Sequence, residues 1–158
     1  MKFTIKRPLV FSALLLWFGV FVTVSFIETP MKFQVPGMTL PIALELGKIM
    51  FGISTNIQLV LLGFVLVFLL IGKEKCNWYK VLIYGGILVV VLLQKWWMLP
   101  VLDERADLLA VGKSVPPSEL HNYFIYSEVL KVFFLINMIC FQLKRTVKED
   151  LINSYLTL

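Results

Sequence analysis

The chain has 158 residues, a net charge of +5 and a hydrophobic content of 59%. Soluble domains are about 45–50% apolar, so this composition excludes an ordinary water-soluble domain and indicates a single integral membrane domain over residues 1–158. The basic residues flank apolar runs and form no patch with interleaved aromatic residues, so the lipid bilayer, and not nucleic acid, is the expected partner.

Four apolar runs approach the roughly 20 residues that an α-helix needs to cross the hydrocarbon layer. The first run follows a short basic segment and is longer than the core of a signal peptide, so we predict that it is a retained span. The sequence therefore predicts an all-α fold, a four-transmembrane-helix bundle. The predicted spans cover approximately residues 9–27, 48–71, 80–98 and 121–143.

Proline residues are expected to end the first and third helices, because proline lacks the N–H group that continues a helix. The stretch that contains Pro30, residues 29–40, is predicted to be a loop. The second helix is predicted over residues 41–71, about 46 Å long and therefore longer than the hydrocarbon layer. Pro100 is expected to stop the third helix. Residues 102–109 are then predicted to form a short interfacial helix on the outer face, between spans 3 and 4.

The distribution of lysine and arginine predicts the orientation of the chain. Four spans place both termini on one side of the membrane, and that side carries nine Lys and Arg residues against six elsewhere. Because segments on the cytoplasmic side are enriched in Lys and Arg, we predict that the N- and C-termini are cytoplasmic. The polar segments between the spans then face the exterior.

Two segments share the pattern Glu-x-x-Lys followed by apolar residues, at residues 45–51 and 128–134. A spacing of three places the two charged side chains next to each other on a helix. We therefore expect Glu45 to pair with Lys48, and Glu128 with Lys131. The further partners expected for Glu128 and Lys131 are the charged residues Glu28, Lys32, Glu45, Lys48 and Arg105. The match between the segments is also compatible with an internal duplication of parallel topology.

Charged side chains inside a span are costly, at about 2.5–3.5 kcal/mol each near the bilayer centre, so they either pair or line a polar site. We predict a polar cluster in the outer half of the bundle that binds or transports a small anionic or amphipathic molecule. A buried ion-pair network that only fixes the helix order is an equal alternative. The candidate ligand-binding residues are Glu28, Lys32, Glu45, Lys48, Arg105, His121, Tyr123, Glu128 and Lys131.

Two other functions stay open at this stage. The first is an accessory subunit of a larger membrane complex. The second is a membrane oxidoreductase linked to haem or quinone, with His121 as the axial ligand. Glu28, His121 and Glu128 have the chemistry of a three-ligand metal site, but nearby lysines disfavour a cation, so we expect no metal and no cofactor. The motifs of soluble hydrolases and phosphate-binding enzymes are absent from the sequence. A transporter with four spans is expected to form a homo-oligomer.

Residues 26–37, with the sequence FIETPMKFQVPG, and a later block of His121, Asn122 and Tyr123 with Glu128 and Lys131 resemble the motifs of one group of proteins. These are small bacterial four-helix integral membrane proteins of uncharacterised function. The resemblance covers nearly the whole chain. It implies a four-helix fold in the bacterial inner (cytoplasmic) membrane, and it implies no activity, substrate or ligand.

Overall fold

The computed structural model of the chain describes residues 2–72 and 78–146. It contains four helices that are long and apolar enough to cross a membrane, which confirms the predicted all-α bundle and makes the chain a multi-pass membrane protein. Some of the lysines counted to predict the orientation fall within residues 73–77 and 147–158, and these lie outside the described residues. The four helices are α1, Pro8–Lys32; α2, Leu40–Ile71; α3, Trp78–Ala110; and α4, Leu120–Phe141.

Two short strands, which we did not predict, join the ends of the chain. Strand β1, Lys2–Ile5, pairs antiparallel with β2, Leu143–Thr146, so that Ile5 lies opposite Leu143. The pairing holds the segment before α1 and the segment after α4 at one end of the bundle, as an even number of crossings requires. We call this the proximal end, and we call the opposite end, where α1 leads to α2 and α3 to α4, the distal end.

Helices α1 and α3 both continue through a proline, so the predicted helix stops at Pro30 and Pro100 are wrong. Just before each proline the helix widens into a π-helix, over Thr23–Glu28 in α1 and Gln94–Met98 in α3. A proline has no N–H group, and its ring meets the carbonyl group four residues earlier, so a wider turn relieves the conflict. The loop after α1 therefore starts only at residue 33.

The predicted interfacial helix is in fact the last part of α3, which runs without a break to Ala110. The helix ends in a hydrogen-bonded turn at Gly112, whose φ of +76° is in the left-handed region that glycine adopts readily. There the N–H of Gly112 donates to the carbonyl of Leu109, and the N–H of Lys113 donates to that of Leu108, each at 3.0 Å. This arrangement satisfies carbonyl groups that the helix end would otherwise leave unpaired.

The apolar core fills the proximal half of the bundle. Each helix contributes a stripe of fully buried side chains at spacings of three and four residues, the pattern of a helix with one inward face. Helices α3 and α4 approach each other closely at Gly86, where an added Cβ atom would lie 2.6 Å from Cζ of Phe134. Fully buried members of the core are Val10, Leu14, Trp17, Phe21, Val65, Ile83, Ile87, Val91, Leu135 and Met138.

We predict that Gly86→Ala destabilises the protein, because the new methyl group displaces the buried ring of Phe134. Overpacking of this kind costs about 1–3 kcal/mol. Gly85→Ala is the matched control, since a Cβ atom there meets no described atom within 4 Å, and alanine favours the helix by up to about 1 kcal/mol. Thermal unfolding in detergent should place the midpoint of Gly86→Ala below that of Gly85→Ala. Equal midpoints would contradict the tight contact.

Candidate functional site

A buried ion pair lies in the membrane-spanning part of α4. Nζ of Lys131 is 2.7 Å from Oε1 of Glu128, as the spacing of three residues predicts. Only 1% of Lys131 and 5% of Glu128 are exposed. Two charges withdrawn from water in this way need hydrogen bonds in addition to each other, because their mutual attraction alone does not offset the loss of hydration.

Glu128 receives these hydrogen bonds from α1 and α3. The hydroxyl group of Ser25 donates to Oε2 at 2.6 Å, and the side-chain amide of Gln94 donates to Oε1 at 2.7 Å. Both donors lie in π-helical segments, which are frequent at functional sites. The widened turns before Pro30 and Pro100 therefore occur at the same depth as the buried carboxylate.

Lys131 is partnered by α2 and α1. Its ammonium group donates to Oε1 of Gln58 at 3.0 Å, and the amide of Gln58 donates in turn to the hydroxyl group of Ser54 at 3.2 Å. On the α1 side, Nζ of Lys131 lies 4.6 Å from the centroid of the Phe21 ring, in cation–π contact. All four helices thus contribute a side chain to the environment of this one ion pair.

The partners of the ion pair differ from those we expected from the sequence. Glu28, Lys32, Glu45, Lys48 and Arg105 were the expected partners, and within the described part of the chain none of them forms an ion pair with Glu128 or Lys131. The actual partners are neutral. The signal for them was an uncharged polar residue inside an apolar span: Ser25, Gln58 and Gln94.

The other Glu-x-x-Lys segment, in α2, forms its ion pair in a different environment. Nζ of Lys48 lies 3.5 Å from Glu45 and also contacts the carboxylate of Asp107 in α3. The side chains of Glu45 and Asp107 are 60% and 59% exposed. Exposed ion pairs are screened by solvent and contribute little stability. The equivalent spacing therefore gives a surface contact in α2 and a buried contact in α4.

A pocket of about 580 Å³ opens between the distal ends of all four helices. Its volume is within the range of pockets that hold small molecules. Most of the wall is apolar, formed by residues such as Ala43, Phe51, Leu99, Leu102 and Phe124. Five of the nine predicted site residues also line it: Lys32, Lys48, Arg105, His121 and Glu128.

The other four predicted residues lie outside the pocket wall. Tyr123 is 57% exposed on the outer surface of α4, and Lys131 lies behind Glu128 in the bundle. Glu45 is held in the surface ion pair with Lys48. One carboxylate oxygen of Glu28, Oε1, is buried without a hydrogen-bond partner among the described residues, and the other accepts from the hydroxyl group of Thr29 at 3.4 Å.

Lys32 is the exceptional residue of the pocket. It is 6% exposed, and within residues 2–72 and 78–146 its ammonium group has neither a hydrogen-bond acceptor nor an ion-pair partner. Its nearest favourable contacts are the rings of Phe33 and Phe51, whose centroids lie 5.6 and 5.9 Å from Nζ. Because so little of the side chain is accessible, few water molecules can hydrate the ammonium group, and reduced hydration without a protein acceptor is unfavourable.

The remaining cation of the pocket wall, Arg105, is engaged with the loop that follows α3. Its guanidinium group donates to the carbonyl of Pro116 at 2.5 Å. His121 is exposed at the start of α4. Among the described residues, no three His, Cys, Asp or Glu side chains are close enough together to hold a metal ion.

Comparisons of the chain with protein-family models, with curated proteins and with solved structures found no match.

We predict that Glu128 and Lys131 depend on each other for stability. Glu128→Gln and Lys131→Met each leave one buried charge unpaired and should each destabilise the protein by about 3–5 kcal/mol, whereas the double variant should be close to the parent protein. Chemical unfolding in detergent measures the three differences. Lys113→Met, in the exposed loop after α3, is the control and should have no measurable effect. Additive losses in the double variant would contradict the coupling.

Proposed function

We propose that this protein binds a small amphipathic molecule in the distal pocket. The observation that carries the proposal is the pocket of about 580 Å³ itself, which is formed by all four helices and combines apolar walls with a few charged side chains. Small-molecule sites generally have this composition, because apolar walls supply affinity and a few polar groups fix the orientation of the ligand.

The buried ion pair supports a division of roles within the cluster. Lys131 is satisfied by Glu128, Gln58 and the ring of Phe21, and it does not line the pocket. We assign it to holding the helices together. Glu128 is part of both the pocket and the ion-pair cluster. It lines the pocket, and its carboxylate accepts hydrogen bonds from two further helices.

We propose binding, and not passage through a single copy of the chain. On the proximal side of Glu128 the bundle is filled by a packed core that includes Trp17, Phe21 and Leu135, all fully buried. A route through this core would require the helices to separate. Transport, if it occurs, is therefore expected to use a homo-oligomer or a larger membrane complex.

The location of the pocket relative to the cell follows from the charge count. With the termini cytoplasmic, as the Lys and Arg distribution predicts, the distal pocket faces the exterior of a bacterial inner membrane. Membership of the resembling group of small bacterial proteins, the accessory-subunit role and the haem- or quinone-linked oxidoreductase role stay predictions from the sequence.

Narrowing the pocket is expected to weaken the binding of a ligand. Ala106 in α3 lines the pocket, whereas Ala110, one turn later, does not. In phosphatidylcholine nanodiscs, the parent protein should bind radiolabelled dodecanoate or dodecanol saturably, at one molecule per chain. Ala106→Phe should weaken the binding of both probes by about tenfold or more, since the ring takes up part of the volume.

Ala110→Phe is the matched control and should bind both probes like the parent protein. Size-exclusion chromatography and unfolding temperature verify that both variants fold. If neither probe binds saturably to the folded parent protein, the proposed function is refuted.

A further inference from the structure

We infer that Lys32 is the anchor for the head group of the ligand, and that the pocket selects amphipathic molecules with an anionic head group. The inference rests on the proposed function and names the class of molecule that the pocket takes. A carboxylate or a phosphate ester satisfies the chemistry equally, because both present anionic oxygens that accept hydrogen bonds from an ammonium group.

The first support is that the other cations around the pocket are already engaged. Lys48 is paired with Asp107 and Glu45, and Lys131 is paired with Glu128. Arg105 donates to the Pro116 carbonyl. Among the cations that line the pocket, Lys32 is therefore the one without a carboxylate or carbonyl partner in the described part of the chain.

The second support is the position of this cation. Lys32 is 6% exposed and lines the pocket, and within the described residues no protein acceptor reaches its ammonium group. The rings of Phe33 and Phe51 contact it favourably but accept no conventional hydrogen bond. Its three N–H donors are therefore available to a ligand oxygen in the pocket.

Gly47 makes room for this ammonium group. A Cβ atom at Gly47 would lie 2.8 Å from Nζ of Lys32, closer than two such atoms can approach. Glycine in the interior of α2 costs about 1 kcal/mol of helix stability relative to alanine. The space left by this glycine admits the ammonium group to the wall of the pocket, so we assign Gly47 as a positioning residue for Lys32.

The apolar part of the wall defines the rest of the ligand. The pocket surface around Lys32 is formed by Phe33, Ala43, Leu44 and Phe51, and continues to Leu99 and Leu102 of α3. An inorganic anion would leave this surface without contacts, whereas an alkyl chain covers it. The predicted ligand is therefore a molecule with an anionic head and an apolar tail.

The charge of Lys32 is expected to reduce the stability of the ligand-free protein. Lys32→Met keeps the apolar stem and removes the unpaired charge, so it should raise the unfolding temperature in zwitterionic nanodiscs by about 2–4 °C or more. Dodecanoate should raise the unfolding temperature of the parent protein by more than it raises that of Lys32→Met, because the variant binds it only through the alkyl chain. A lower unfolding temperature for Lys32→Met without ligand would show that Lys32 is held by the protein itself, and would overturn the inference.

Binding of four probes with the same alkyl chain tests the selectivity: dodecanoate, dodecyl phosphate, dodecanol and dodecyltrimethylammonium, each in phosphatidylcholine nanodiscs. The parent protein should prefer one or both anionic probes to dodecanol by about tenfold or more, and should bind the cationic probe most weakly. Whichever anionic probe binds more tightly identifies the head as a carboxylate or a phosphate. Acetate and inorganic phosphate, which lack the tail, should not compete.

Lys32→Met should lose this preference, with the affinity for dodecanol changed by less than about twofold. Gly47→Ala should shift the ammonium group, the flexible end of Lys32, and lower the affinity for the anionic probes by about twofold. Gly52→Ala, in the same helix with no described atom within 4 Å of an added Cβ, should not. Equal affinity of the parent protein for dodecanoate and dodecanol would overturn the anchor and leave the proposed function standing. If none of the four probes binds the parent protein, both the anchor role of Lys32 and the proposed function are refuted.

Discussion

An ionised side chain inside a low-dielectric bundle has to find a counter-charge and hydrogen bonds within the protein, because neither lipid nor packed side chains supply them. In this protein that constraint applies to Glu128 and Lys131 of α4. Their pair draws Ser25 from α1, Gln58 from α2 and Gln94 from α3. Because each contact sets the rotation and depth of one helix, a single polar cluster aligns the whole bundle.

The two π-helical segments show how the backbone adapts to this requirement. Each ends two residues before a proline and lies at the depth of the buried carboxylate. The segments that widen to accommodate Pro30 and Pro100 thus also carry Ser25 and Gln94, the two residues that donate to the buried carboxylate. The helices then continue to the distal end and form the wall of the pocket.

Lys131 and Lys32 illustrate two opposite uses of a buried lysine. Lys131 has a carboxylate, an amide oxygen and an aromatic ring as partners, so its burial contributes to a defined helix arrangement. Lys32 has two aromatic rings and no acceptor in the described part of the chain, and it lines the pocket. A cation without a protein acceptor on the wall of a pocket is the arrangement expected of a site that an anionic ligand completes.

Local rules applied to the amino-acid order were sufficient for four membrane-spanning helices and for both Glu-x-x-Lys contacts, since hydropathy and helical spacing involve only neighbouring residues. They did not reveal that the helices pass through their prolines, that the segments before α1 and after α4 pair as strands, or that neutral residues hold the ion pair. Nor did they separate Lys32 from Lys131. Those features depend on contacts between residues far apart in the chain, because only the assembled bundle decides which buried charge receives a partner and which one is left facing the pocket.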